Sequence, residues 1–133
     1  MSAGPARTGR VLVVDDQLGI RRFVERALSR AGFIVESAVT GSEALQKLRA
    51  SRFDLLLLDL ELPWLDGFEV FAAIRQEPAT AHLPVIVITG SSVSDTEFEA
   101  DEHVVLMRKP FEASTLKACV QQVLEKIPDS PGL

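Results

Sequence analysis

Short apolar runs alternate with amphipathic stretches along most of the chain. The runs are Val11–Val14, Leu55–Leu58, Val85–Ile88 and Val104–Met107, with a weaker one at Phe33–Val35. Unbroken apolar runs of this length predict strands that are covered on both faces, as in a parallel sheet between two layers of helices. Between the runs, apolar residues recur at the spacing of an amphipathic helix. These helical patterns cover Ile20–Ala31, Ala44–Leu48, Phe68–Ile74 and Leu116–Ile127.

Two of the predicted helix ends are indicated by particular residues. Gly32 follows the first helical pattern, where a glycine commonly ends a helix, and Ser42 with Glu43 is expected to open the second helix. The stretch Ser91–Glu102 is polar and acidic, so a fourth helix in that interval is predicted to be weak or shortened.

The alternation of strand and helix, repeated five times, predicts the fold class α/β. Because crossovers between parallel strands are right-handed, the strands should form an open twisted sheet with helices on both faces. A chain of this length fits the five-stranded, doubly wound flavodoxin-like (βα)5 sandwich with strand order 2-1-3-4-5. We expect a flexible arm at residues 1–9, one domain at residues 10–127 and a flexible tail at residues 128–133.

Composition narrows the class of protein. The 133 residues suit a single domain, and 47% hydrophobic with 25% charged residues is the balance of an ordinary globular protein. A net charge of -5 argues against direct binding to nucleic acid, which needs a basic surface. No apolar run approaches the length of a membrane span, and Cys119 is the only cysteine, which excludes an internal disulfide. These features predict a cytoplasmic protein that does not bind a membrane.

Polar side chains follow four of the predicted strands. Asp15 and Asp16 follow the first strand, Asp59 the third, Thr89 the fourth and Lys109 the fifth. In an open α/β sheet, ligands bind outside the carboxyl ends of the strands, close to the point where the strand order reverses. The predicted order therefore places Asp59 centrally, with two carboxylates on one side and a hydroxyl and an ammonium on the other.

This set of groups favours phosphoryl transfer. Three converging carboxylates repel one another unless a cation joins them, and Mg²⁺ suits a site of a few carboxylates, water and a phosphate. Thr89 and Lys109 can hold phosphoryl oxygens opposite the metal, while Asp59 acts as the nucleophile and forms an acyl phosphate.

Three segments resemble the receiver domain of response regulators, the CheY-like family of two-component signal transduction. They are Val11–Asp16 with Arg21 and Arg22, Leu57–Pro63 with Asp66 and Gly67, and Arg108–Phe111. The resemblance extends over nearly the whole of residues 10–127. It implies a phosphoprotein that takes its phosphoryl group from a histidine kinase or a histidine phosphotransfer protein. It also implies that the chain catalyses only its own phosphorylation and dephosphorylation, with a homodimer as an open option.

The resemblance assigns roles to individual residues. Asp59 is the expected phosphoacceptor, and Thr89 and Lys109 are expected to contact the phosphoryl group. The bond between Lys109 and Pro110 is expected to be cis, a form that only X–Pro bonds adopt readily. The expected Mg²⁺ ligands are Asp15, Asp16, Asp59 and the backbone carbonyl of Glu61.

The chain departs from the family pattern at the position that accompanies Thr89 in switching. An aromatic residue is usual three positions before the lysine, and here that position is Leu106. Phe98 and Phe111 are the aromatic residues that we consider as substitutes. By the same resemblance, Glu61 and Ser91 occupy positions that tune the rate of dephosphorylation.

Three other functions remain to be weighed. A phosphorylation-independent pseudo-receiver, acting as an interaction module with an altered face around the fourth helix and fifth strand, is favoured by Leu106 but opposed by the intact polar set. A haloacid-dehalogenase-type enzyme should carry its nucleophile on the first strand and an aspartate where Glu61 stands. An FMN-binding flavodoxin needs a phosphate-cradling loop after the first strand, where Asp15 and Asp16 would repel the phosphate.

Four remaining residues and one acidic run have simpler interpretations. Trp64 is expected to be a partly exposed loop aromatic, with partner binding as the alternative, and Cys119 is expected to pack on the last helix. His82 and His103 are isolated in the sequence and are interpreted as structural. The acidic residues between 97 and 102 are expected to form a solvated face.

Overall fold

The computed structural model describes residues 9–90, 98 and 101–125, in which strands and helices alternate from β1 to β4 as the sequence predicts. The strands are β1 (Arg10–Val14), β2 (Ile34–Ala38), β3 (Leu55–Asp59), β4 (Val85–Thr89) and β5 (Val104–Arg108). The helices are α1 (Leu18–Arg30), α2 (Gly41–Ala50), α3 (Gly67–Gln76) and α4 (Ala113–Glu125), the last of which follows β5.

All five strands are parallel, in the order β2-β1-β3-β4-β5. This confirms the predicted flavodoxin-like arrangement. The register pairs Asp59 with Ile88, one residue before Thr89, so the carboxyl ends of β3 and β4 finish side by side. Since every strand runs in the same direction, the residues that follow them share one edge of the sheet.

The sheet separates two apolar cores, which explains why the strands have unbroken apolar runs. Leu56 and Leu58 face the side covered by α2 and α3, whereas Leu55 and Leu57 face the side covered by α1 and α4. All five residues of β3 are buried. We refer to these two clusters as the α2/α3 core and the α1/α4 core.

The helix ends follow local chemistry. Gly32 has a φ of 99°, in the left-handed region that glycine adopts easily, as expected for the residue that ends α1. The predicted start of the second helix was late by one residue, because α2 begins at Gly41 rather than Ser42. The physical reason is that the Thr40 side chain accepts a hydrogen bond from the Glu43 N–H at 3.1 Å and thus caps the helix.

Some expectations fall outside the described part of the chain. The predicted arm at residues 1–9 is described only at Gly9, and the tail at residues 128–133 is not described. The interval Ser91–Glu102, predicted to hold a weak helix, is described only at Phe98, Asp101 and Glu102. Within the described ranges, the helices lack the length and apolar character that a membrane crossing would require.

Candidate functional site

The carboxyl end of β1 carries two aspartates with different surroundings. Asp15 is 1% exposed, and its Oδ1 accepts a hydrogen bond from the Gln17 N–H at 2.9 Å. The Arg21 guanidinium donates to the backbone carbonyl of Asp15 at 2.9 Å and so ties the first turn of α1 to this loop. Asp16 is exposed. The pair therefore presents one buried and one solvent-facing carboxylate.

Asp59 ends β3 in the middle of the sheet and is 2% exposed. Its Oδ1 accepts a hydrogen bond from the Glu61 N–H at 3.0 Å. The helix α3 starts directly against this strand end: a Cβ on Gly67 would lie 2.6 Å from the Asp59 carbonyl oxygen and 2.5 Å from the Cα of Leu60. Glycine is therefore required at this position, and the preceding Asp66 caps the helix with its side chain.

Lys109 follows β5 and places its ammonium between two carboxylates. Its Nζ lies 3.2 Å from Oδ2 of Asp15 and 3.4 Å from Oδ2 of Asp59. Its backbone N–H donates to the carbonyl of Thr89 at 2.9 Å, and its peptide bond to Pro110 is cis, as the resemblance implies. Side chains from the ends of three strands thus meet at one point.

Thr89 ends β4 and is fully buried. Its hydroxyl donates a hydrogen bond to Oε2 of Glu61, and the N–H of Gly90 donates to Oε1 of the same carboxylate at 3.2 Å. The Glu61 side chain therefore bridges from the loop after β3 to the end of β4.

The site contains more negatively charged groups than positively charged ones. Burial raises the pKa of the Asp59 carboxyl to about 6, and the neighbouring carboxylates of Asp15 and Glu61 add to the rise. The Glu61 N–H and the Lys109 ammonium oppose it. Burial also disfavours the charge on Lys109, but the attraction of Asp59 and Asp15 outweighs this and raises the pKa of its ammonium. Lys109 consequently stays charged, while the cluster as a whole keeps an excess of negative charge.

The donor set fits a hard divalent cation. One carboxylate oxygen from each of Asp15, Asp16 and Asp59 lies within 4.8 Å of the others. Oδ2 of Asp15 is buried and has no hydrogen-bond partner among the described residues, although the Lys109 ammonium is close to it. Carboxylate oxygens in this number, with water and phosphate to complete the shell, suit Mg²⁺. The backbone carbonyl of Glu61 stays a predicted ligand.

The model of the response regulator receiver domain family matches residues 11–121 of this chain. This chain belongs to that family. The match contains every candidate site residue and all but the first residue of the five-stranded sheet. The family resemblance seen in the sequence is thereby confirmed.

Relatives of this receiver domain differ in length. The response regulator ArlR of Staphylococcus haemolyticus is 34% identical over 123 residues, which cover 89% of this chain and 53% of that protein. The structure of the chemotaxis protein CheY4 of Vibrio cholerae is 34% identical with a TM-score of 0.81, covering 88% of this chain and 99% of that one. A CheY-like receiver domain protein from Methanospirillum hungatei is 26% identical with a TM-score of 0.81, covering 90% and 95%. The chain spans about half the length of the curated relatives it matches.

Leu106 on β5, the residue at the predicted switch position, is partly buried against the α2/α3 core. Phe98 belongs to the same core and stacks on Phe68 with 5.8 Å between ring centroids. Phe111 instead contacts Phe23, at 5.9 Å, beside the α1/α4 core. Of the two aromatic residues considered from the sequence, only Phe98 shares a core with Leu106. Ser91, the other position considered for dephosphorylation, lies outside the described residues.

Two contacts in the receiver domain were not predicted from the sequence. One is the contact of the Glu61 carboxylate with Thr89 and Gly90. The other joins His82 and His103, whose ring centroids lie 5.5 Å apart. A weak signal existed for the histidines, because each precedes one of two strands that pair with each other, β4 and β5.

The only tryptophan and the only cysteine of the chain lie in different surroundings. Trp64, in the loop between β3 and α3, is 89% exposed and has a φ of 63°, a backbone region that usually favours glycine. Cys119 on α4 is partly buried against the α1/α4 core. The sequence predicted a partly exposed loop position for Trp64, which is in fact almost fully exposed, and packing on the last helix for Cys119.

Proposed function

We propose that this receiver domain accepts a phosphoryl group on Asp59 from a histidine kinase or a histidine phosphotransfer protein and acts as a Mg²⁺-dependent phosphorylation switch. The observation that supports it most is the Lys109 ammonium, 3.2 Å from Asp15 and 3.4 Å from Asp59. Phosphoryl transfer depends on positioning and on neutralising the phosphoryl oxygens, and a charged lysine beside the central carboxylate meets that need.

In the proposed reaction, a carboxylate oxygen of Asp59 forms a bond to phosphorus while the N–P bond of the donor phosphohistidine breaks. The donor imidazole leaves with the bonding electron pair, and an acyl phosphate remains on Asp59. With a pKa of about 6, the Asp59 carboxyl is mostly ionised at neutral pH and is therefore available as the nucleophile.

The other polar groups have separate roles in this proposal. Asp15, Asp16 and Asp59, with the backbone carbonyl of Glu61 as a further ligand, would hold a Mg²⁺ ion, which would supply positive charge for the phosphoryl oxygens. Lys109 pairs with a phosphoryl oxygen on the other side.

The Thr89 hydroxyl is the proposed donor that detects the modification. It belongs to the end of β4, so a change in its partner is transmitted to the strand and to the segment that follows. The activity proposed for this chain is limited to its own phosphorylation and dephosphorylation. The output of the switch belongs to a partner or to a further domain.

The test is to incubate the whole chain with Mg²⁺ and either acetyl phosphate or phosphoramidate, and to measure its intact mass. We expect one phosphoryl group on the wild type, none on Asp59→Asn, and none when a chelator removes the metal. Asp54→Asn is the matched control, because Asp54 lies at the other edge of the sheet, where it accepts a hydrogen bond from the Arg10 N–H at 2.8 Å.

Two results would contradict the proposal. A phosphorylated Asp59→Asn protein would move the acceptor to another residue. A wild type that stays unmodified with both donors, and with a labelled phosphorylated kinase, would favour the phosphorylation-independent interaction module instead.

A further inference from the structure

We propose that the Glu61 carboxylate takes the place of the phosphoryl group before phosphorylation. It accepts the hydrogen bonds of the Thr89 hydroxyl and the Gly90 N–H until a phosphoryl oxygen displaces it. The inference rests on the function proposed above and concerns the regulation of the same site. It makes Glu61 a positioning residue, since it acts through Thr89 and Gly90 rather than on the reacting atoms.

The contacts that support it come from one side chain. Oε2 of Glu61 accepts the hydrogen bond of the Thr89 hydroxyl, and Oε1 accepts that of the Gly90 N–H at 3.2 Å. Two oxygens of one anion thus bind a side-chain donor and a backbone donor on consecutive residues. A phosphoryl oxygen next to Asp59 would need donors of the same kind, because it is also an anionic acceptor.

The direction of approach strengthens the inference. Glu61 is exposed whereas Thr89 is fully buried, so the carboxylate meets the hydroxyl from the solvent side. The backbone of the same residue holds the proposed acceptor, since the Glu61 N–H donates to Oδ1 of Asp59 at 3.0 Å. Its side chain is therefore anchored close to the place where a phosphoryl group on Asp59 would lie.

Competition of this kind has a measurable consequence. A phosphoryl analogue must break two hydrogen bonds to a charged acceptor before it gains its own, so its affinity is lower than the site would otherwise allow. The negative charge of Glu61 also repels the analogue. Substitutions separate these two effects, because Glu61→Ala removes both charge and reach. Glu61→Asp keeps the charge but shortens the side chain by one methylene, so that it no longer reaches both donors.

The experiment titrates the whole chain with beryllofluoride in the presence of Mg²⁺ and measures binding by isothermal titration calorimetry. We expect Glu61→Ala to bind roughly tenfold more tightly than the wild type, equivalent to about 1.4 kcal/mol, and Glu61→Asp to tighten in the same direction. Glu112→Ala removes an equal charge from the exposed loop between β5 and α4 and should leave the affinity unchanged. Equal affinity for all Glu61 variants, or a Glu61→Asp protein identical to the wild type, would overturn the inference.

A second measurement does not depend on phosphoryl chemistry. In the NMR spectrum without metal or beryllofluoride, the Gly90 amide proton of the wild type should resonate downfield of its position in Glu61→Ala, because a carboxylate accepts its hydrogen bond. An unchanged Gly90 resonance would overturn the inference even if beryllofluoride binds well. Failure of the wild type and of every variant to bind beryllofluoride with Mg²⁺ would instead overturn the proposed function, and the inference with it.

Discussion

The two edges of the sheet treat their carboxylates in opposite ways. At the carboxyl edge, Asp15 and Asp59 share the Lys109 ammonium, and burial raises the pKa of Asp59 to about 6. At the amino edge, Asp101 binds the Arg75 guanidinium, with Nε 2.7 Å from Oδ2 and Nη2 3.4 Å from Oδ1. Burial there works against the charge, but the hydrogen bonds outweigh it and lower the pKa of Asp101.

The difference shows how a carboxylate that supports the fold is distinguished from one that is available for chemistry. Asp101 has donors on both oxygens, including the His103 N–H at 2.9 Å, so its charged form is stabilised by the protein alone. Oδ2 of Asp15 is buried without a hydrogen-bond partner among the described residues, 3.2 Å from the Lys109 ammonium. Asp59 shares that single ammonium and also faces the carboxylates of Asp15 and Glu61. We therefore expect an added cation to stabilise the carboxyl edge, whereas the amino edge has its own cationic partner in Arg75.

The largest expected effect is at the amino edge. Asp101→Asn should lower the free energy of unfolding by about 2 kcal/mol, because Arg75 is left partly buried without its charged partner. Urea unfolding measures this as a lower midpoint at an unchanged slope. The control is Glu77→Gln, whose partner Arg49 is 58% exposed and whose loss should change the free energy by less than about 0.5 kcal/mol. Equal effects in the two variants would contradict the distinction between the ion pairs.

At the carboxyl edge the same kind of substitution should act in the opposite direction. Asp59→Asn should raise the free energy of unfolding of the metal-free protein by about 1 to 2 kcal/mol at pH 8, because it removes a buried charge that the site disfavours. Urea unfolding with a chelator present is the measurement. A destabilised Asp59→Asn protein would show that the contacts of Asp59 to Lys109 and Glu61 outweigh the repulsion.

The stability gained by Asp59→Asn depends on pH, and its direction follows from the raised pKa of Asp59. The pKa of Asp59 is about 6 in the folded state and near 3.8 when unfolded, so between these values the folded state binds more protons. The contribution of Asp59 to the free energy of unfolding therefore falls as pH rises from about 4 to about 6. The stability difference between Asp59→Asn and the wild type should grow between about pH 4 and about pH 6 and be constant above that range.

Asp101, whose pKa is lowered, should contribute stability above pH 4 and lose it as the solution becomes more acidic.

Stabilisation by the metal is expected to be about as large as the effect of Asp59→Asn. Mg²⁺ at about ten times its dissociation constant should raise the free energy of unfolding of the wild type by about 1.4 kcal/mol. Thermal unfolding with and without millimolar Mg²⁺ is the measurement, and Asp16→Asn should lose most of the shift. Asp101→Asn should keep it, since that residue lies at the other edge. A wild type that is indifferent to Mg²⁺ would remove the main support for a metal site.

Much of the fold and of the candidate site follows from the sequence for one geometric reason. Parallel strands end at one edge of the sheet, so the residues that follow the apolar runs are expected to lie close together, and Asp15, Asp59 and Lys109 do so. Gly67 is a residue whose role the sequence did not explain and the structure does. Its presence in the sequence suggested only the family pattern, whereas the structure shows that any Cβ there would collide with Asp59 and Leu60.

What the sequence could not predict depends on contacts that no local pattern specifies. Glu61 has a long, flexible side chain, and its hydrogen bonds to Thr89 and Gly90 depend on how the loop after β3 is placed relative to β4. The rings of His82 and His103 are neighbours in space, although the whole of β4 and the segment after it lie between them in the sequence. The start of α2 differs from the prediction by one residue because the helix is capped by Thr40, whose role depends on the backbone path that lets its side chain accept from the Glu43 N–H.

The exposed tryptophan in the loop after β3 can serve as an optical probe. Trp64 is the only tryptophan in the chain and has 89% of its surface in water, five residues after Asp59. Its emission in the isolated domain should be that of a solvated indole. A protein that docks over this loop should shift the emission to shorter wavelength, so association can be followed in the native chain without a dye.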